Sequence, residues 1–291
     1  MTPKLPLLLT SWDLRLEIIL VLATAGSLFI AGWMRVRGRG GRRLATGWRL
    51  GCYLAGLAVL ALALMSVIDL LGQSLFLMHM IQHLLIVMIA APLLLLANPF
   101  PFTIWGLPNG PNIARLLFSQ DSRFRRALIR VTRPGILWLT FVTILWGWHD
   151  PAAYNAALRI GWLHDLQHLT FFGAAMLFWW RLVNAGPRTC GGRFPLLARL
   201  GFLLAGAAAN MIPGVVIALA EAPLYAYYVD VPRVWGLTVI QDQVLAGIIM
   251  WIPGTMMYFL AALVILFRAL GRPESKAFGF RRVMQVEPAP P

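Results

Sequence analysis

FLMHMIQHLLIVMIAAPLLLLA, residues 76–97, decides the fold. A bilayer's hydrocarbon core is about 30 Å thick, and a helix needs about 20 apolar residues to cross it. This stretch is that long, yet its first two turns hold His79, Gln82 and His83. A second HxxQH, His164-Asp165-Leu166-Gln167-His168, opens another apolar run. The fifth and last histidine, His149, ends a third.

Working outward, the same reading repeats along the chain. Spans are expected at Leu14–Met34, Leu50–Leu71, Leu75–Ala97, Gly135–Trp148, Trp162–Val183, Leu200–Ala220 and Asp242–Phe267. Asn98-Pro99-Phe100-Pro101 stops the third, because proline cannot continue the helical ladder. The 291 residues are 59% hydrophobic and 12% charged, about half the charge of a soluble domain. The fold class is therefore all-α, a polytopic membrane bundle of seven transmembrane helices. The net charge of +14 fits loop anchoring at the lipid surface better than nucleic-acid binding.

The charges also orient the chain. The connections at 35–49, 99–134 and 181–199 and the tail after residue 267 hold 21 of the 25 Lys and Arg. Positive-inside places them in the cytoplasm, with the N-terminus outside and the C-terminus cytoplasmic. Residues 1–267 are read as one seven-span domain and 268–291 as a basic cytoplasmic tail, expected to be disordered. Residues 99–134 interleave six arginines with Leu116, Leu117, Phe124, Leu128 and Ile129, and read as an amphipathic segment on the inner surface. The N-terminus has no clear signal-peptide plan and is taken as retained. Cys52 and Cys190 form neither a disulfide framework nor a CxxC motif.

That topology brings His79, His83, His149, His164 and His168 to the outer face, together with Asp69 and Asp242. Residues at i and i+4 share a helix face, with Cβ atoms about 5–6 Å apart, so each pair can hold one metal. Imidazole suits copper, zinc and iron, and Asp242 or Asp69 can ligate or orient the rings. An isolated HxxxH more often makes an interhelical hydrogen bond. Two pairs and a fifth histidine at one depth favour a metal, because ionisable groups in a membrane are costly without a role. Met250 and Met257 share a face of the seventh span and could add thioether ligands, although packing explains them more simply. A bis-histidine haem stays open, and without CxxCH it would be non-covalent. HDLQH also approaches the zinc-protease HExxH, with Asp165 in the place of the base.

Asp69, HMIQHLL, APLLLLANP, WHDPAAYNAAL, WLHDLQHLTFF, APLYAYY and DQVLAGIIMWIPG, in this order from Asp69 to Gly254, resemble the CtaG-like cytochrome c oxidase assembly factors of caa(3)-type oxidases. Ser66-Val67-Ile68 precedes Asp69 where a proline often stands in that family. The single-span, cysteine-based copper chaperone that shares the name is a different protein type. The resemblance implies a non-enzymatic protein of the bacterial cytoplasmic membrane that helps mature the haem–copper oxidase. Copper, as Cu(I), would come from a periplasmic donor and go to oxidase subunit I. By motif, His79, His83, His149, His164, His168 and Asp242 are the metal ligands or their supports.

Overall fold

The computed structural model describes residues 12–119, 122–183 and 194–271, and no strand occurs among them. Lys4, Asp121, Arg188, Cys190, Arg193 and most of the expected tail, from residue 272, lie outside the described residues. The helices are α1 (Leu16–Gly38), α2 (Gly47–Met65), α3 (Val67–Gly72), α4 (Phe76–Leu96), α5 (Pro99–Gly106), α6 (Gly110–Phe118), α7 (Arg123–Val131), α8 (Pro134–His149), α9 (Pro151–Arg159), α10 (Gly161–Val183), α11 (Leu196–Leu219), α12 (Tyr227–Asp230) and α13 (Val239–Leu270).

Among the described residues five helices, α1, α2, α4, α11 and α13, are long and apolar enough to cross a membrane. A sixth crossing exists if α7 and α8, bent by 66° at their junction, count as one. The expectation was seven. The chain is thus a multi-pass membrane protein in which α10 is the outlier. At 23 residues it is long enough, but HDLQH and Arg181 lower its hydropathy.

Two expected boundaries move for local reasons. The second span ends at Met65, not Leu71, because Ser66 is extended and its hydroxyl accepts the Ile68 N–H to start α3. Residues 99–134 form three short helices. Of these, α5 docks on α1, burying Phe102, while Arg35 of α1 donates to the Trp105, Gly106 and Leu107 carbonyls. Of the three, α7 holds no buried residue and carries Arg123, Arg125, Arg126 and Arg130, the composition of a surface helix.

The core centres on α4, which packs against α2, α10 and α13. Helices α11 and α13 share the most extensive helix–helix interface among the described residues. A Cβ on Gly247 would come within 2.5 Å of the Ala218 nitrogen, so only glycine fits. Three central helices are interrupted by proline. Residues Leu85–Ala90 of α4 are π-helical, and the π-register would pair the Val87 carbonyl with residue 92, a proline without N–H. Trp179 Nε1 donates to that carbonyl instead, at 2.9 Å. Pro213 frees the Ala209 carbonyl in α11, and Trp146 Nε1 fills it at 2.9 Å. Beside Pro253 in α13, Asn210 Nδ2 donates to the Met250 carbonyl at 2.9 Å.

Candidate metal centre

The start of α4 is fixed by a carboxylate from far along the chain. Asp242 stands in the first turn of α13, whose capping box pairs Thr238 with Gln241. Its two oxygens accept the N–H groups of Phe76 and Leu77, both at 2.9 Å. These are donors that the first turn of a helix leaves unpaired, and the positive helix end favours an anion there. Arg233 Nη2 binds the same carboxylate at 3.0 Å. Asp242 therefore positions the helix that carries His79 and His83, and both its oxygens are engaged in doing so.

One turn deeper, Gln82 Nε2 donates to Asp69 Oδ1 at 2.6 Å and to the Ala63 carbonyl at 2.9 Å. Tyr228 OH donates to the Gly72 carbonyl at 2.9 Å. Together these bonds tie α2, α3, α4 and α12 to one another beside the first histidine pair.

Four imidazoles then meet. Ring centroids are 4.3 Å apart for His79–His83, 4.2 Å for His164–His168, 5.3 Å for both His79–His164 and His83–His168, and 5.9 Å for His79–His168. Nε2 of His79 lies 2.9 Å from Nε2 of His83, so one of the two carries the shared proton. Ligand atoms of His79, His164 and His168 all lie within 4.8 Å of one another. A tetrahedral ion with bonds of about 2.0–2.1 Å holds its donors about 3.3 Å apart, so small ring rotations would close this set.

One nitrogen of every histidine is buried without a partner in ordinary hydrogen-bond geometry: His79 Nδ1, His83 Nδ1, His149 Nε2, His164 Nε2 and His168 Nε2. A buried polar group left unpaired costs about 1–3 kcal/mol. Five in one region form a donor set suited to a cation. His149 stands apart from the other four, 6.0 Å from Phe171, whose other neighbour is His83 at 4.6 Å. Its Nδ1 lies 2.6 Å from the Leu145 carbonyl. A carbonyl only accepts, so Nδ1 carries the proton and Nε2 keeps a lone pair.

Aromatic rings close one side of the cluster. Phe76 contacts Tyr154, Tyr225 and Tyr228 at centroid distances of 5.4, 4.9 and 5.4 Å, and His79 lies 5.3 Å from Tyr154. Burial pushes all three phenols well above their ordinary range, so they stay protonated. Tyr225 donates to the His149 carbonyl at 2.9 Å. Asp165, between His164 and His168 in sequence, turns away to Arg15, which grips both its oxygens at 2.7 and 2.8 Å. That hydrogen-bonded pairing raises the Arg15 pKa.

The sequence placed the four paired histidines together, and the fold does bring them together. It holds His149 to one side and uses Asp242 as a helix cap. It adds Arg233, Gln82, Tyr154, Tyr225 and Arg15, which sequence reasoning did not single out. The tyrosines lie in the motifs WHDPAAYNAAL and APLYAYY, but nothing in those motifs says that they cover histidines.

No solved structure matches the chain. The uncharacterized protein ML1998 of Mycobacterium leprae is 26% identical over 235 residues, covering 77% of this chain and 34% of that protein. The uncharacterized protein Mb0105 of Mycobacterium bovis is 26% identical over 238 residues, with the same coverage of 77% and 34%. The chain thus spans about a third of the length of the curated relatives it matches. The family model described as cytochrome c oxidase caa3 assembly factor (Caa3_CtaG) matches residues 27–272. With the match running from α1 to the end of α13, the chain belongs to the cytochrome c oxidase caa3 assembly factor family.

Proposed function

We propose that the protein takes up copper as Cu(I) at the histidine cluster and delivers it to subunit I of the haem–copper oxidase during assembly. Copper here is cargo, and the protein is not an enzyme. The observation that carries this is the meeting of two HxxQH pairs, each of whose histidines keeps one buried nitrogen outside ordinary hydrogen-bond geometry. His79, His83, His164 and His168 are the ligands. His149 completes the set from the side, and Asp242 holds α4 in register.

The site lies at the outer face of a seven-span bundle in the bacterial cytoplasmic membrane, with the N-terminus outside and the C-terminus in the cytoplasm. The Lys and Arg asymmetry supports this orientation, which lets a periplasmic donor load the site directly. In this arrangement α10 crosses the membrane with His164 and His168 turned toward α4, while Asp165 is neutralised by Arg15 at the surface.

The haem reading is disfavoured by space. The four rings pack against one another, and the adjoining cavity is about 40 Å³, against the roughly 300–1,000 Å³ of cofactor-sized pockets. The protease reading is disfavoured because Arg15 holds the carboxylate that would activate water.

Anaerobic Cu(I) titration of the purified protein, with an optical spectrum, tests the proposal. Binding with no Soret band is expected. Failure to bind copper, or a Soret band in freshly purified protein, would overturn it.

A further inference from the structure

Beneath the four-histidine cluster is a cavity of about 40 Å³ whose wall includes Met80, His83 and Met88 of α4, His149 of α8, Asn210 of α11 and Met250 of α13. It is room for one or two water-sized particles. No charged side chain lines it. All three proline-interrupted helices contribute to its wall, beside α8 and α10, and each brings a residue from near its irregular stretch. Met88 lies in the π-helical segment of α4, while Asn210 and Met250 each lie three residues before a proline. Irregular backbone inside a membrane bundle is kept where it borders a cavity or a functional site.

The donor chemistry differs from that of the cluster above. Three methionines and two imidazoles surround the space, and His83 and His149 each keep a buried nitrogen without a partner. Hard divalent cations need carboxylate or carbonyl oxygens in number. Thioether and neutral imidazole, with no countercharge, suit a soft monovalent cation. His83 belongs to both compartments, since its Nε2 meets His79 in the cluster and its ring lines the cavity.

We propose that this cavity is a second, methionine-rich Cu(I) site, reached from the histidine cluster by way of His83. The inference rests on the copper reading above and adds a second ion of different ligation. The ion moves from nitrogen donors at the outer face to a mixed nitrogen–sulfur set deeper in the bundle, and no redox change is involved.

The test is anaerobic Cu(I) titration of the full chain in detergent against a chromophoric Cu(I) chelator, followed by X-ray absorption. Wild type is expected to bind two Cu(I), with sulfur scattering present. The triple variant Met80→Leu, Met88→Leu, Met250→Leu conserves volume. It is expected to bind one Cu(I), nitrogen-ligated, and that retained ion reports that it folds. The triple variant His79→Ala, His164→Ala, His168→Ala is expected to keep sulfur-ligated copper. A single nitrogen-only copper in wild type would overturn this inference and leave the copper reading standing. Sulfur scattering undiminished in the methionine variant, which retains both cysteines, would also overturn it. No copper in wild type would overturn both.

Discussion

The two HxxQH stretches share a spacing but are built differently. On α4, His79 and His83 are buried, Gln82 has two partners, and a carboxylate from α13 clasps the first turn. On α10, His164 is only partly buried, Gln167 has no partner for either amide atom, and the nearby charge pair is at the surface. One wall of the site is thus fixed by hydrogen bonds from three directions. The other is held by packing and a solvent-facing clamp. A cargo site needs both: a rigid wall sets ligand geometry, and a less constrained wall lets the ligands close on an ion and release it.

Breaking both walls at once should have the largest effect. A His83→Ala, His168→Ala double variant is expected to lose about 1,000-fold in Cu(I) affinity, about 4 kcal/mol, by chelator competition. Near-normal affinity would remove these rings from the ligand set. Asp242→Ala comes next, since it leaves two helix-start N–H groups without acceptors and the half-buried Arg233 without its carboxylate. Its expected cost is about 3 kcal/mol of stability, read as a lower unfolding midpoint in detergent. A 10–100-fold loss of copper affinity should accompany it.

The glutamines sharpen the contrast. Gln82→Leu strips the Asp69 carboxylate of its amide partner and should destabilise by about 2 kcal/mol. Gln167→Leu removes an amide that has no partner and should be neutral or stabilising by the same measurement. Equal losses at the two positions would erase the proposed difference between the walls. The smallest effect belongs to the surface clamp. Arg15→Ala or Asp165→Ala should cost at most about 1 kcal/mol, less at high salt, and leave copper binding within about threefold. Abolished function with metal retained in Asp165→Ala would instead favour the protease chemistry.

The local parts of this site were legible because they obey short-range rules. The i, i+4 spacing of HMIQH and HDLQH predicts paired rings, and the apolar runs predict the helices around them. The join at Ser66 was hidden, since Ser66-Val67-Ile68 carries no proline or glycine to announce a break. The roles of Asp242 and Arg15 were hidden for another reason. Their partners are 165–166 and 150 residues away in sequence, and no periodicity encodes such a pairing. Proline disturbs a helical ladder wherever it stands inside one, as Pro92, Pro213 and Pro253 do. Their convergence on one cavity needed the packing of α4, α11 and α13.

The mended carbonyls have a consequence for how the protein is made. A helix entering lipid alone exposes any carbonyl its own ladder leaves bare, and hydrocarbon offers nothing to bond it. α4 carries such a group at Val87 until α10 supplies Trp179, and α11 carries one at Ala209 until α8 supplies Trp146. In order of synthesis α4 must wait for its indole, whereas α11 emerges when its donor is already in place. The prolines that open the centre of the bundle therefore also act as pairing instructions during biogenesis, telling each interrupted helix which neighbour makes it comfortable in the membrane.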